Sequence, residues 1–265
     1  MFLKRTITTV IGVPLVIALI WFGSPWFTVL IAGWGLGGAF EFYSIIARTK
    51  GLAPLTYFGM LWVLLFIISP HFSDIQTVPL LLTSAVLLPL IILLWRKSKE
   101  NAFANWAWTI AGILYVGWLA SFMVGLRLLS DGRGWVFLAI LCTFASDISA
   151  YLAGRTFGRH KMSPYISPNK TWEGAAAGLV GAIIVSVVVV TLFKLPVGYG
   201  EAVGLGVMIS IVGQLGDLVK SLFKRNTGVK DSSNMIPGHG GFLDRMDSPA
   251  FAGVAVYYYV IYAVQ

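Results

Sequence analysis

Apolar residues run along this chain in long unbroken stretches, without the one-face or alternating patterns of a soluble domain. A helix needs about 20 such residues to cross a bilayer. Stretches of that order occupy residues 7–24, 26–46, 54–70, 77–95, 105–129, 134–154, 174–193, 201–220 and 249–264. The pattern predicts an all-α, polytopic integral membrane protein with about nine transmembrane helices. The first stretch follows Met1-Phe-Leu-Lys-Arg5, which could open a signal peptide, but its apolar core is long and no small-x-small cleavage site follows. It reads as an anchor. Two polar segments, residues 155–173 and 220–248, interrupt the pattern. The chain divides into an N-terminal region of about five spans, 1–130, and a C-terminal region, 131–265, that holds the polar chemistry. No internal repeat of the kind that marks many transporters is evident.

Composition agrees and narrows the class. Of 265 residues, 57% are hydrophobic and 11% charged, against roughly 25% charged in soluble domains. This excludes an ordinary cytosolic enzyme and a disordered tail. The single cysteine, Cys142, excludes a disulfide scaffold and a multi-cysteine zinc site. The net charge of +8 raises the question of a polyanionic partner. With nine spans, 16 of the 19 Lys and Arg residues fall on one side, leaving Arg127, Arg133 and Lys194 on the other. The positive-inside bias then places the N-terminus and both polar segments in the cytoplasm of a protein of the cell (inner or plasma) membrane. Nucleic acid is not needed to explain the basic excess.

Acidic residues inside apolar helices are costly, and Glu41, Asp147 and Asp217 are in that position. Asp147 lies beside a small-residue seam, Ser146, Ala150 and Gly154, that permits close helix approach. It is either a polar clasp or a site residue. Glu41 follows Gly35, Gly37 and Gly38, and reads as a structural residue or one whose carboxylate snorkels outward. Asp217 shares a helix face with Lys220, Ser221 and Lys224, an arrangement that suits either a simple ion pair or a headgroup and metal held together. In the segment beyond, Gly238, Gly240 and Gly241 allow positive φ and bare backbone N–H groups. Asp244 and Asp247, with Asp217, are carboxylates of the kind Mg²⁺ takes beside phosphate oxygens. Lys224, Arg225, Lys230 and Arg245 can neutralise phosphates. In the earlier polar segment, Ser167-Pro168 reads as a helix cap, which would put Asn169, Lys170 and Thr171 in a first turn able to bind phosphate or simply to start a helix.

Three runs carry a family resemblance. They are Ser221-x-Phe-Lys-Arg-x-x-x-x-Lys230-Asp231-x-Ser-x-x-Ile-Pro-x-His239-Gly-Gly-Phe-x-Asp244-Arg245-Met-Asp247, then Ile166-Ser-Pro-Asn-Lys-Thr-x-Glu-Gly, and Asp147-x-x-Ala-Tyr151-x-x-Gly. Together they resemble the signature of the phosphatidate cytidylyltransferase (CDP-diacylglycerol synthase) family. Ile148 departs from the small residue expected after the aspartate. The resemblance implies transfer of CMP from CTP to phosphatidic acid, with Mg²⁺ or another divalent cation, a possible second metal ion, and a homodimer. On that basis Asp217, Asp244 and Asp247 are the expected metal ligands, with Asp231 and Asp147 behind them. Lys224, Arg225, Lys230 and Arg245 are expected on phosphates, and His239 in ordering its glycine loop or touching pyrophosphate. Tyr151, Ser167, Asn169, Lys170, Thr171, Ser221, Gly238, Gly240 and Gly241 complete the expected substrate contacts. A CTP-dependent polyprenol kinase is the nearest rival, and a transporter would account for the intramembrane acids but not for the long signature.

Overall fold

A computed structural model of the chain describes residues 2–72, 74–97, 99–233, 235 and 240–264, with side chains omitted at 2–5 and 7–9. Each of the nine apolar stretches lies on helical structure. The helices are α1 (Phe2–Phe22), α2 (Trp26–Lys50), α3 (Thr56–Ile68), α4 (Thr77–Leu94), α5 (Ala102–Gly112), α6 (Leu119–Leu128), α7 (Gly132–Phe157), α8 (Trp172–Phe193), α9 (Tyr199–Thr227) and α10 (Leu243–Tyr259). A wider π-helical segment, Ile113–Trp118, joins α5 to α6. Helix is the expected solution, because in hydrocarbon each backbone N–H and C=O must find its partner within the chain. Among the described residues, six helical segments are long and apolar enough to cross a membrane: Trp26–Lys50, Thr77–Leu94, Ala102–Leu128, Gly132–Phe157, Trp172–Phe193 and Tyr199–Thr227. Val10–Phe22 and Thr56–His71 are shorter apolar helices.

The chain forms two compact units. One contains Met1–Leu128 and Asn226–Met246, the other Leu129–Arg225 and Asp247–Gln265. The first is centred on Tyr43, which is fully buried and donates its hydroxyl to the Thr109 carbonyl at 2.8 Å. Its ring fills the space left by Gly59 and Gly112, where a methyl group would collide with it. The glycines of α2 are also used within the unit. A Cβ on Gly37 would lie 2.7 Å from the Phe242 ring, and one on Gly38 would touch Met246 and Val116. Their small size therefore admits the 242–246 segment of the same chain.

In the second unit α7 and α8 pack along the seam read from the sequence. A Cβ on Gly174 would stand 2.8 Å from the Ala150 carbonyl, and one on Gly178 would stand 2.9 Å from the Ser146 carbonyl. Such close approach needs glycine. Between these helices runs an antiparallel hairpin of β1 (Lys161–Ser163) and β2 (Ser167–Thr171). This corrects the expected helix start at Ser167. α8 begins after Thr171, whose extended backbone and side chain cap it, with Gly174 N donating to Thr171 Oγ1 at 3.2 Å. A β-branched residue with a hydroxyl accommodates both roles, whereas Ser167 and Pro168 lie on the hairpin strand.

Candidate active site

Four charged side chains of the second unit form a continuous ion-pair network. Asp217 and Lys220, one turn apart on α9, meet at 2.8 Å. Lys220 also reaches Asp247 Oδ2 at 2.6 Å, and Lys170 from β2 reaches the other oxygen of Asp217 at 2.7 Å. The Lys220 and Asp247 side chains are 12% and 5% exposed. An isolated charge at that depth would be strongly disfavoured, so each depends on its partners. Asp147 lies within electrostatic range of all four. Three carboxylates face two ammonium groups, so the cluster carries surplus negative charge.

Hydrogen bonds to neutral groups align this network. Lys170 Nζ also donates to the Gln214 carbonyl at 3.3 Å, and Ser221 Oγ donates to the Asp217 carbonyl at 2.8 Å. The Gln214 side chain donates to Ser210 Oγ at 3.0 Å, and Ser210 meets Ser146 at 2.9 Å, which continues a polar seam between α9 and α7. Gly216 lets α10 approach, since a Cβ there would stand 2.9 Å from the Asp247 carbonyl. The hairpin that carries Lys170 is fastened at its base. Glu173 accepts from the Arg159 and His160 amides at 3.2 Å and meets His160 Nδ1 at 2.6 Å. At its tip Arg225 Nε donates to the Ile166 carbonyl at 3.2 Å.

The first unit holds a second polar centre. Glu41 accepts hydrogen bonds from Ser232, Ser233 and the Phe242 and Leu243 amides. Asp244, expected beside Asp217 and Asp247 as a metal ligand, places its Oδ2 against Ser232 N at 3.0 Å, Ser232 Oγ at 2.8 Å and Gly241 N at 3.4 Å. Gly240 adopts φ +84°, a left-handed conformation that glycine was expected to allow there. Gly241 is buried against Glu41 and Ser232.

The structure thus joins Lys170 directly to Asp217, links Asp217 to Asp247 through Lys220, and brings Asp147 near them. Ser221 supports Asp217 through its backbone, and Thr171 caps α8. Ser167 and Asn169 lie on β2, Asn169 exposed. Tyr151 is 63% exposed and its hydroxyl accepts from Arg155 at 3.3 Å. Lys224 lies in the last turn of α9, and Arg225, Lys230, Asp231 and Arg245 are exposed. Gly238 and His239 lie outside the described residues. Lys220, read only as a neighbour of Asp217, proves to be the link between two aspartates. Its three-residue spacing from Asp217 was the available signal, while its partner Asp247 lies on another helix.

The helices and this network define an α-helical membrane protein with a charged site built from lysines and aspartates. The chain belongs to the cytidylyltransferase family, whose model matches residues 3–263. Similar proteins include the phosphatidate cytidylyltransferase of Synechocystis sp., 35% identical over 97% of this chain and 96% of its own. The phosphatidate cytidylyltransferase of Bacillus subtilis is 31% identical over 96% of each chain. The chloroplastic phosphatidate cytidylyltransferase 4 of Arabidopsis thaliana is 33% identical over 97% of this chain and 73% of its own.

Proposed function

We infer that this chain is a CTP-using nucleotidyltransferase that makes CDP-diacylglycerol from CTP and phosphatidic acid. The observation that carries the reading is the Lys170–Asp217–Lys220–Asp247 network in a chain matched by the cytidylyltransferase family along nearly its whole length. In the reaction a phosphate oxygen of phosphatidate attacks the α-phosphorus of CTP and forms the new P–O bond. The bond to the β-phosphate oxygen breaks, and its electron pair leaves with pyrophosphate. The attacking oxygen is already anionic near neutral pH, so no side-chain base is needed. What the protein must do is hold two polyanions in line and offset their repulsion.

Lys170 and Lys220 are suited to that task, as mobile ammonium groups that can move from aspartate to phosphate. Arg225 and Lys224, at the end of α9, and Lys230 and Arg245 supply further positive charge. The donor chemistry fits a hard divalent cation: Asp217 and Asp247 would hold Mg²⁺, with Asp147 close by. Among the described residues no three His, Cys, Asp or Glu side chains are yet grouped to hold an ion, and Lys220 lies between the two aspartates. When bound, the ion would neutralise charge building on the phosphates. We further propose about nine spans, a cytoplasmic N-terminus and site in the cell membrane, and a homodimer. CTP is soluble and phosphatidate is not, which favours a site at the cytoplasmic membrane face.

The test is CDP-diacylglycerol formation by the purified chain with and without Mg²⁺. Product with pyrophosphate release supports the reading. Release of CDP with a phosphorylated lipid would assign it to a lipid kinase instead.

A further inference from the structure

Glu41 is the one acidic residue of α2 and is only 2% exposed. A carboxylate there is tolerable only if its oxygens are supplied with donors. Oε1 accepts from Ser233 Oγ at 2.5 Å and Phe242 N at 3.0 Å, and Oε2 accepts from Ser232 Oγ at 3.0 Å and Leu243 N at 2.9 Å. These donors come from the two ends of a single segment, and none of them is a cation. Two are backbone amides at the start of α10, where N–H groups lack partners within the helix and the dipole favours negative charge. Ser232 Oγ also reaches Asp244 Oδ2 at 2.8 Å, so one hydroxyl ties both carboxylates to the same point. Gly241 fits against this point, and a Cβ there would strike Ser232 Oγ and the Glu41 carboxylate.

We propose that Glu41 is a positioning residue for cytidylyl transfer. From α2 it ties Ser232 and Ser233 to Phe242 and Leu243, which fixes the residue at which α10 begins. The proposal rests on the CDP-diacylglycerol synthase reading above. The start of α10 matters because Asp247 follows Leu243 by one turn on the same helix. Asp247 thus stands close to the end that Glu41 holds, and fraying of that first turn would loosen the place of its carboxylate. Glu41 itself touches no reacting group.

The test uses the full chain purified in mild detergent, comparing wild type with Glu41→Gln and with a Ser232→Ala, Ser233→Ala double variant. Glu41→Gln keeps the shape of the side chain but turns an amide NH₂ toward two of the donors. The expected result is a kcat lowered on the order of 10²-fold with the CTP KM within about threefold of wild type. The thermal unfolding midpoint should stay within a few degrees, while amide exchange at Phe242 and Leu243 accelerates. The serine double variant, which leaves Glu41 in place, should lower kcat about tenfold. It decides the question if Glu41→Gln does not fold. A kcat per folded molecule within about twofold of wild type in the deciding variant overturns the proposal. So does unchanged exchange at 242–243. A wild-type chain that makes no CDP-diacylglycerol overturns the functional reading instead, and leaves the clamp to be judged by exchange alone.

Discussion

The two units satisfy the carboxylates of Glu41 and of Asp217 and Asp247 by different means. Glu41, in the unit of Met1–Leu128 and Asn226–Met246, is surrounded by hydroxyl and backbone donors that have fixed places in the fold. Asp217 and Asp247, in the other unit, are held by ammonium groups on long flexible stems. A fixed dipole cannot leave, so it locks geometry. A lysine can exchange a carboxylate for an arriving phosphate and free that carboxylate for a cation. The proposed roles follow this contrast, Glu41 as a positioning group and the lysines and aspartates as groups that exchange partners.

The sharpest way to break this comparison is to neutralise the exchanging side. Asp217→Asn and Asp247→Asn should each lower CDP-diacylglycerol formation on the order of 10³-fold, because each removes one of the two carboxylates proposed to hold the cation and one of the two counter-charges of Lys220. Near-normal turnover in both would remove the network from the reaction. Next is Lys220→Ala, which strands Asp247 and leaves Asp217 with Lys170 alone. A loss of roughly 3–5 kcal/mol of stability is expected, read as a lowered unfolding midpoint in detergent, with activity falling beyond the loss of folded protein. Glu41→Gln should follow, with its kcat effect and preserved fold marking the locking side of the contrast. Smaller still, Arg225→Ala should raise the CTP KM by roughly tenfold or less, with the effect shrinking at high salt because the group is exposed. Thr171→Ala should cost about 1 kcal/mol of stability through the lost cap of α8, measured by thermal unfolding.

The helices were legible because lipid-length apolar stretches have few other solutions. The α7–α8 seam was legible as well, since Ser146, Ala150 and Gly154 repeat on one helix face. The hairpin was not. Its strands have three and five residues, too few for a period, and Ser167-Pro168 imitates a helix start. Asp217 and Lys170 stood out in their motifs as candidates, but Lys220 needed its tertiary partner Asp247 to distinguish a bridging ion from a surface pair. Glu41 was hidden by distance along the chain, with donors some 191 to 202 residues away. Nothing in the local pattern of α2 distinguishes a carboxylate that receives a remote loop from one that snorkels to water. Of the glycines before it, Gly37 and Gly38 admit the 242–246 segment.

The most direct test of the central claim follows the phosphorus. The purified chain is given phosphatidate, Mg²⁺ and CTP labelled at the α-phosphorus or, in a parallel reaction, at the γ-phosphorus. The α label should enter the lipid as CDP-diacylglycerol, the γ label should appear in pyrophosphate, and Asp217→Asn should abolish both. A γ label in the lipid with CDP released, or wild-type turnover in Asp217→Asn, would contradict the account.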